Sequence, residues 1–409
     1  MKKEIKDLLA AANPDELSWH KIIVSVFVGA NSIAVKNNDL IKSLLIKSND
    51  LINAASKNLA GSFAFDDLIE AFELLVPAGE KVVNGAIYTP NYIKSFIVQN
   101  AIKDLKKPIG DVVAADISCG CGAFLYTVAK VIKSSTRLSF FDIYKNNLFG
   151  LDVCESSVMR SKILLSLLAL IHGEDEKSFK FNIYCGNALL FDWFKKSETV
   201  SKNGGFDLIV GNPPYVRAKN IDESSKSLLS KWSVTQSGNP DLYIPFFEIG
   251  LTYLTDVGIL GFITVNSFFR SVNARNLRSF FQDNFVSLSI IDFGSEKIFI
   301  GKSAYTCICF ASKKKTKFIS YKKEKGSSLV KGGMKGFEKI PYADLDSKGG
   351  WLLSNSLVID NITKIESMGL PLGSLFKIKN GIATLSNKTY IFKPISESKL
   401  FYEMEFGGK

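Results

Sequence analysis

The sequence predicts an α/β fold: a doubly wound, mostly parallel sheet of seven strands, preceded by a helical region and followed by a smaller C-terminal part. Three observations predict it. From Asp111 to Ala311 short apolar runs alternate with helical segments. The runs are nearly continuous in apolar residues, as strands covered on both faces are. Before Asp111 the spacing is helical instead, with Leu40, Ile41, Leu44, Leu45 and Leu51 recurring at helix period.

Taken in order, Asp66 or Asp67 can cap a helix that carries Leu68, Phe72 and Leu75 on one face. The candidate strands are Val112–Ile117, Leu148–Asp152, Phe181–Cys185, Phe206–Val210, Ile259–Val265, Leu288–Phe293 and Thr306–Ala311. A Lys/Gly/Ser-rich stretch, Lys322–Gly336, reads as a linker, drawn at 321–350. Trp351–Lys409 has turn and strand signals but few residues for a core of its own. The expected layout is therefore a helical region at 1–80, the sheet domain at 81–320, the linker, and a partial region at 351–409.

Composition narrows the function classes. A chain of 409 residues exceeds one ordinary core, and 46% hydrophobic content is globular. The longest apolar runs, Ile163–Ile171 and Gly258–Val265, are too short to span a membrane. Met1-Lys2-Lys3-Glu4-Ile5-Lys6 has no signal-peptide core, so a cytoplasmic protein without membrane contact is expected. The six cysteines do not form a disulfide framework, and with only His20 and His172 a His-rich metal site is excluded. Cys119 and Cys121 read as small residues in a tight loop, because no second Cys pair lies at zinc spacing, and no metal is expected. The net charge of +11 suits a polyanionic partner, although lysines also serve simply to solvate a surface. Arg270, Arg275 and Arg278 fall close together, and Lys313, Lys314 and Lys315 follow a strand.

Ligands of doubly wound sheets bind at the carboxyl ends of the strands, and these ends carry chemistry in order. The first closes on Asp116-Ile117-Ser118-Cys119-Gly120-Cys121-Gly122, where Gly120 and Gly122 allow close backbone approach. Alone, such a loop could serve any nucleotide or no ligand. The second ends at Asp152, either a ribose acceptor or a helix cap; the third runs into Gly186-Asn187-Ala188, either a base reader or a plain turn. The fourth, Phe206–Val210, ends in Asn212-Pro213-Pro214-Tyr215. The Asn212 oxygen and the Pro213 carbonyl can accept the two hydrogens of an exocyclic NH2, Pro214 stiffens the turn, and the Tyr215 ring offers a stacking face. A proline turn closing a buried strand is the simpler reading of those four residues alone, but four matching strand ends in succession make coincidence a poor account.

In this order the motifs resemble the gamma-class N6-adenine DNA methyltransferases, the Asn-Pro-Pro-Tyr family of type II and IIG restriction-modification methylases. Gly85-Ala86-Ile87-Tyr88-Thr89-Pro90 is similar to motif X, Asp116–Phe124 to motif I, Asp152 to motif II, Gly186–Leu190 to motif III and Asn212–Tyr215 to motif IV. Asp241–Phe247, Gly258–Ser267 and Ile291–Thr306 resemble the following blocks, so the likeness covers about residues 80 to 320. It implies a Rossmann-like domain that binds S-adenosyl-L-methionine through Tyr88, Thr89, Pro90, Asp116, Ser118, Cys119, Gly120, Gly122, Asp152, Asn187, Ala188, Asn212 and Pro214. One departure stands out, because the family usually has an acid where this chain has Asn187.

The resemblance further implies methyl transfer to a flipped-out adenine, with Asn212, Pro213, Pro214 and Tyr215 at the reacting amine and Phe299 as the second aromatic wall. Arg217, Lys219, Arg270, Arg275, Arg278 and Lys302 are expected phosphate contacts to double-stranded DNA. Phe376–Thr384 is similar to the opening of a target-recognition region that looks incomplete, so a specificity or restriction subunit is an expected partner or the chain is a shortened form. No carboxylate pair followed by Glu-x-Lys supplies a nuclease. Two alternatives stay open: methylation of a protein glutamine or an RNA adenine, and a DNA-binding subunit without activity.

Overall fold

The structure, a computed structural model, describes residues 3, 5–7, 16–47, 49–74, 89–299, 304–354, 356–377, 396–397 and 402–403. The N-terminal part includes the helices α1 (Glu16–Ala30), α2 (Asp39–Leu44), α3 (Asp50–Asn58) and α4 (Phe65–Leu74). Side-chain caps start two of them, Asn38 accepting from the Ile41 amide and Asn49 from those of Leu51 and Ile52. At α4 the Asp67 carboxylate accepts from the Ala64 amide at 3.0 Å, as the aspartate pair in the sequence suggests.

Nine strands form one sheet: β1 (Ala114–Asp116), β2 (Leu148–Asp152), β3 (Asn182–Cys185), β4 (Phe206–Gly211), β5 (Leu254–Val265), β6 (Val286–Asp292), β7 (Thr306–Lys315), β8 (Phe318–Lys323) and β9 (Glu338–Pro341). Their order is β3-β2-β1-β4-β5-β7-β6-β8-β9. β1 to β5 run parallel, in registers such as Asp116 beside Gly150 and Ile209 beside Leu260, while β7 runs antiparallel between β5 and β6. The strand order reverses between β1 and β4, which opens a crevice at their carboxyl ends.

Residues of the central strands are divided between two opposite cores. Leu208, Val210, Ile291 and Ile308 join the core shared with α1 to α4 and with helix Glu155–Ile171. Phe206, Ile209, Leu260 and Ile290 join the core under helices Ile244–Tyr253 and Arg275–Asp283. Each fully buried Leu or Ile contributes about 1.5–3 kcal/mol, so a one-residue slip of β4 would be costly on both faces.

The doubly wound sheet is as expected; its strand number is not. The expected linker 321–350 supplies the end of β8 and all of β9: β8 pairs parallel with β6, and β9 antiparallel with β8. The composition of this stretch hides an apolar face, since Ile319, Tyr321, Ile340 and Tyr342 are buried while most of the lysines point outward. Lys322 is the exception, buried with its ammonium donating to the Gly333 carbonyl at 2.6 Å.

Residues up to Ser354 form one compact unit and Asn355–Lys409 a second. The second holds helices Ser356–Ser367 and Leu372–Leu375, and an antiparallel pairing of Ser396–Glu397 with Tyr402–Glu403. Residues 378 to 384 of the recognition-like segment lie outside the described residues.

Candidate active site

The carboxyl ends of β1 to β4 surround a cleft holding about 1200 Å³ of space, part of it open to solvent. β1 delivers Asp116, only 2% exposed, whose carboxylate accepts from the Ser118 amide at 3.0 Å. The loop then turns through Gly120 and Gly122, at φ of +52° and +85°. A Cβ on Gly122 would stand 2.9 Å from Ser161 Oγ, so this glycine serves the packing of loop on helix and lies behind the cleft wall. Gly120 faces the cleft itself, and its carbonyl accepts from Ser161 Oγ at 2.8 Å.

Asp152, at the end of β2, holds that loop in place. Its two oxygens accept from the Gly120 amide at 2.9 Å and the Cys154 amide at 3.0 Å. Past β3, the Asn187 oxygen accepts from the Leu189 amide at 3.0 Å and its amide nitrogen donates to Ser225 Oγ at 3.2 Å. Past β4, Asn212 donates through Nδ2 to Thr89 Oγ1 at 3.0 Å. That bond joins the Thr-Pro segment to the Asn-Pro-Pro-Tyr turn across more than a hundred residues. Thr89, Ser118, Cys119, Ala188 and Pro214 line the same cleft; Pro90 instead stands as N-cap of helix Asn91–Lys103. Tyr88 and Lys302 lie outside the described residues.

Beyond Asn212, Tyr215 donates its hydroxyl to the Ile263 carbonyl at 3.2 Å. Its ring meets Phe299 edge to face, with centroids 6.1 Å apart and planes at 61°. Phe299 is therefore beside Tyr215, as the sequence suggests, but the two rings do not form parallel walls. A ring held between such walls needs about 7–8 Å, two van der Waals gaps.

Several wall residues carry no signal in the sequence. Glu73, at the end of α4, accepts from Cys121 Sγ at 3.1 Å, and Phe72 lines the cleft beside it. Arg160 reaches the cleft from helix Glu155–Ile171 and donates through Nε to Nε2 of His20 on α1 at 3.0 Å. Nothing local marks Glu73 or Arg160, because their meaning arises only when α1 and α4 dock near the glycine loop.

The charges here are not independent. Burial pushes the Asp116 carboxyl up to about 8, against the Ser118 hydrogen bond, and the nearby Asp152 and Glu73 push it the same way. Burial likewise raises Glu73 and Asp152, while it lowers the Lys94 ammonium near Glu73. Three acids sharing one partly closed end suit a cationic group that would offset their repulsion. The other end, with Ala188, Leu189, Leu242, Phe246 and Pro214, offers apolar walls for a flat ring. Among the described residues no His/Cys/Asp/Glu group could hold a metal ion, and no described helix is long and apolar enough to cross a membrane.

The basic residues separate into two sets. Arg217, Lys219 and Arg270 are exposed, and Arg275 is half-buried at the start of its helix. Arg278 corrects the expectation of a phosphate contact. Fully buried, it donates to the carbonyls of Phe268 and Ser271 at 2.7 Å and of Ser347 at 2.8 Å, with Lys348 at 3.4 Å.

Residues 146–299 match the model of the Eco57I restriction-modification methylase family. The type II restriction enzyme and methyltransferase RM.Eco57I of Escherichia coli is 26% identical over 387 residues, covering 81% of this chain and 38% of that protein. The type II methyltransferase M.BanIII of Aneurinibacillus aneurinilyticus is 28% identical over 253 residues, covering 60% and 41%. The chain thus spans about two fifths of the length of these curated relatives. In fold it is similar to the type IIG restriction endonuclease BpuSI, with a TM-score of 0.62 at 15% identity over 88% of this chain and 48% of that one. The DrdV–DNA complex gives 0.58 at 16% identity, over 86% and 43%. Through residues 146–299, the chain is similar to the Eco57I restriction-modification methylase family.

Proposed function

We propose that this chain transfers a methyl group from S-adenosylmethionine to the N6 amino group of an adenine in double-stranded DNA, within a restriction-modification system. The observation that carries the proposal is the Asn212–Thr89 hydrogen bond, which fixes the amide of the Asn-Pro-Pro-Tyr turn at the rim of the acid-lined cleft. The cofactor would supply an electrophilic methyl group on a sulfonium. Asp116 and Glu73 would stand toward its cationic part, and Asp152 toward the ribose.

The chain's own work is orientation. The Asn212 oxygen and the Pro213 carbonyl would hold the two hydrogens of the amine, which draws its lone pair out of ring conjugation and aims it at the methyl. Pro213 and Pro214 keep that turn stiff, so little ordering remains to be done when the base arrives. Tyr215 is pinned by its hydroxyl, so Phe299 is the wall that must turn aside to admit the base. No strong general base is required, since the amine can lose its proton after transfer.

Incorporation of tritiated methyl groups into duplex DNA, RNA and protein, by the chain alone and with a candidate specificity or restriction subunit, tests the reading. DNA should be labelled at adenine N6. Asn212→Ala should keep cofactor binding and lose turnover. Labelling of RNA or protein but not DNA would change the substrate, and wild-type transfer by Asn212→Ala would remove the site.

A further inference from the structure

On the cofactor reading above, the adenine ring would lie near the end of β3, beyond the ribose acceptor at the end of β2. Its exocyclic amino group needs an acceptor there. Asn187 is less suited to provide it, because its neutral oxygen already accepts from the Leu189 amide, leaving one lone pair, and its nitrogen donates to Ser225 Oγ. Ser225 belongs to a segment that follows the Asn-Pro-Pro-Tyr turn and returns to the cleft. Just before it stands Asp222, which lines the same wall as Asn187, Ala188 and Ser225.

We infer that Asp222, on this returning segment, is the acceptor that reads the amino group of the cofactor's adenine, in place of the acid absent at residue 187. The inference rests on the cofactor reading above. Asp222 is held in position: the Ser225 amide donates to its Oδ1 at 2.8 Å, and the Ser224 hydroxyl donates to the same oxygen. Neither bond uses Oδ2. The carboxyl is a dependable acceptor as well, since Asp222 is exposed and these hydrogen bonds outweigh its slight desolvation, keeping it below the usual aspartate range. The same segment begins at the catalytic turn, so recognition of the cofactor base and placement of Tyr215 share one stretch of backbone.

The test is isothermal titration of the full chain with S-adenosylhomocysteine and with S-inosylhomocysteine, in which an oxygen acceptor replaces the amino group. The wild type should prefer the adenine compound about 10- to 100-fold, the range of a hydrogen bond to a charged acceptor. Asp222→Asn keeps a good helix N-cap, so its fold is preserved, but it can present an NH2 to the ligand. It should lose the preference or reverse it toward the inosine compound, while Asn187→Ala should keep it within about threefold. An undiminished preference in Asp222→Asn, a preference that collapses in Asn187→Ala instead, or equal binding of both compounds by the wild type would overturn the assignment. Binding of neither compound by the wild type would remove the cofactor reading itself, and this inference with it.

Discussion

Replacing Arg278 by alanine should weaken the fold without touching any nucleic-acid affinity. The guanidinium is fully buried and makes three short hydrogen bonds, at 2.7–2.8 Å, to the carbonyls of Phe268, Ser271 and Ser347. Counting about 1.5 kcal/mol for each, the low end for a charged donor, the loss amounts to about 4–5 kcal/mol, in line with breaking a buried charged partnership. These bonds hold the turn after β5 and residues 347–348 to helix Arg275–Asp283. Trp351 is a local reporter, since its ring packs on Phe281 at 6.1 Å and its Nε1 donates to the Gln282 side chain at 3.1 Å. Urea unfolding followed by tryptophan fluorescence should show the midpoint fall sharply. If Arg278 met DNA phosphate instead, the slope of log affinity against log salt would shrink by about 0.9. A smaller slope with an unchanged unfolding midpoint would refute the reasoning.

Arg217→Ala combined with Lys219→Ala should lower that salt slope by up to about 2 with little effect on stability, since both side chains are exposed; nitrocellulose filter binding across salt concentrations checks it. Asp116 ionises near 3.8 when unfolded and near 8 when folded, so the folded chain keeps a proton that the unfolded chain releases. Stability should therefore fall as pH rises from about 4 to 8 and level off above, and Asp116→Asn should flatten the profile of denaturation midpoints. Gly122→Ala combines a φ of +85° with a Cβ 2.9 Å from Ser161 Oγ, and should cost about 1–3 kcal/mol, read as a lowered melting temperature.

How much could be read beforehand depended on how local each signal was. The ends of β1, β2, β3 and β4 were legible because each motif is a few residues long and follows a mostly apolar run, as Phe206–Gly211 is. β8 and β9 were not, because each is short and little buried beyond Ile319, Tyr321, Lys322 and Ile340, and the stretch between them is rich in Lys, Gly and Ser. Arg278 looked like its exposed neighbours because charge says nothing of burial; only the carbonyls around it reveal its role. Glu73 and Arg160 are ordinary helix residues until α1 and α4 fold against the glycine loop. Asp222 carries no motif in the sequence; in the structure it caps helix Glu223–Leu229.

The wall built by the first helices has a consequence for how the protein responds to its surroundings. Phe72 and Glu73 of α4 face the cleft, and His20 of α1 holds Arg160, which faces it too. Any ligand that gains affinity from these side chains must, by linkage, favour the docked state of the helices by the same free energy. Amide exchange across residues 16–74 should slow as the ligand is added, at a concentration set by its affinity. The N-terminal helices would then report whether the cleft is occupied, loosening when it empties.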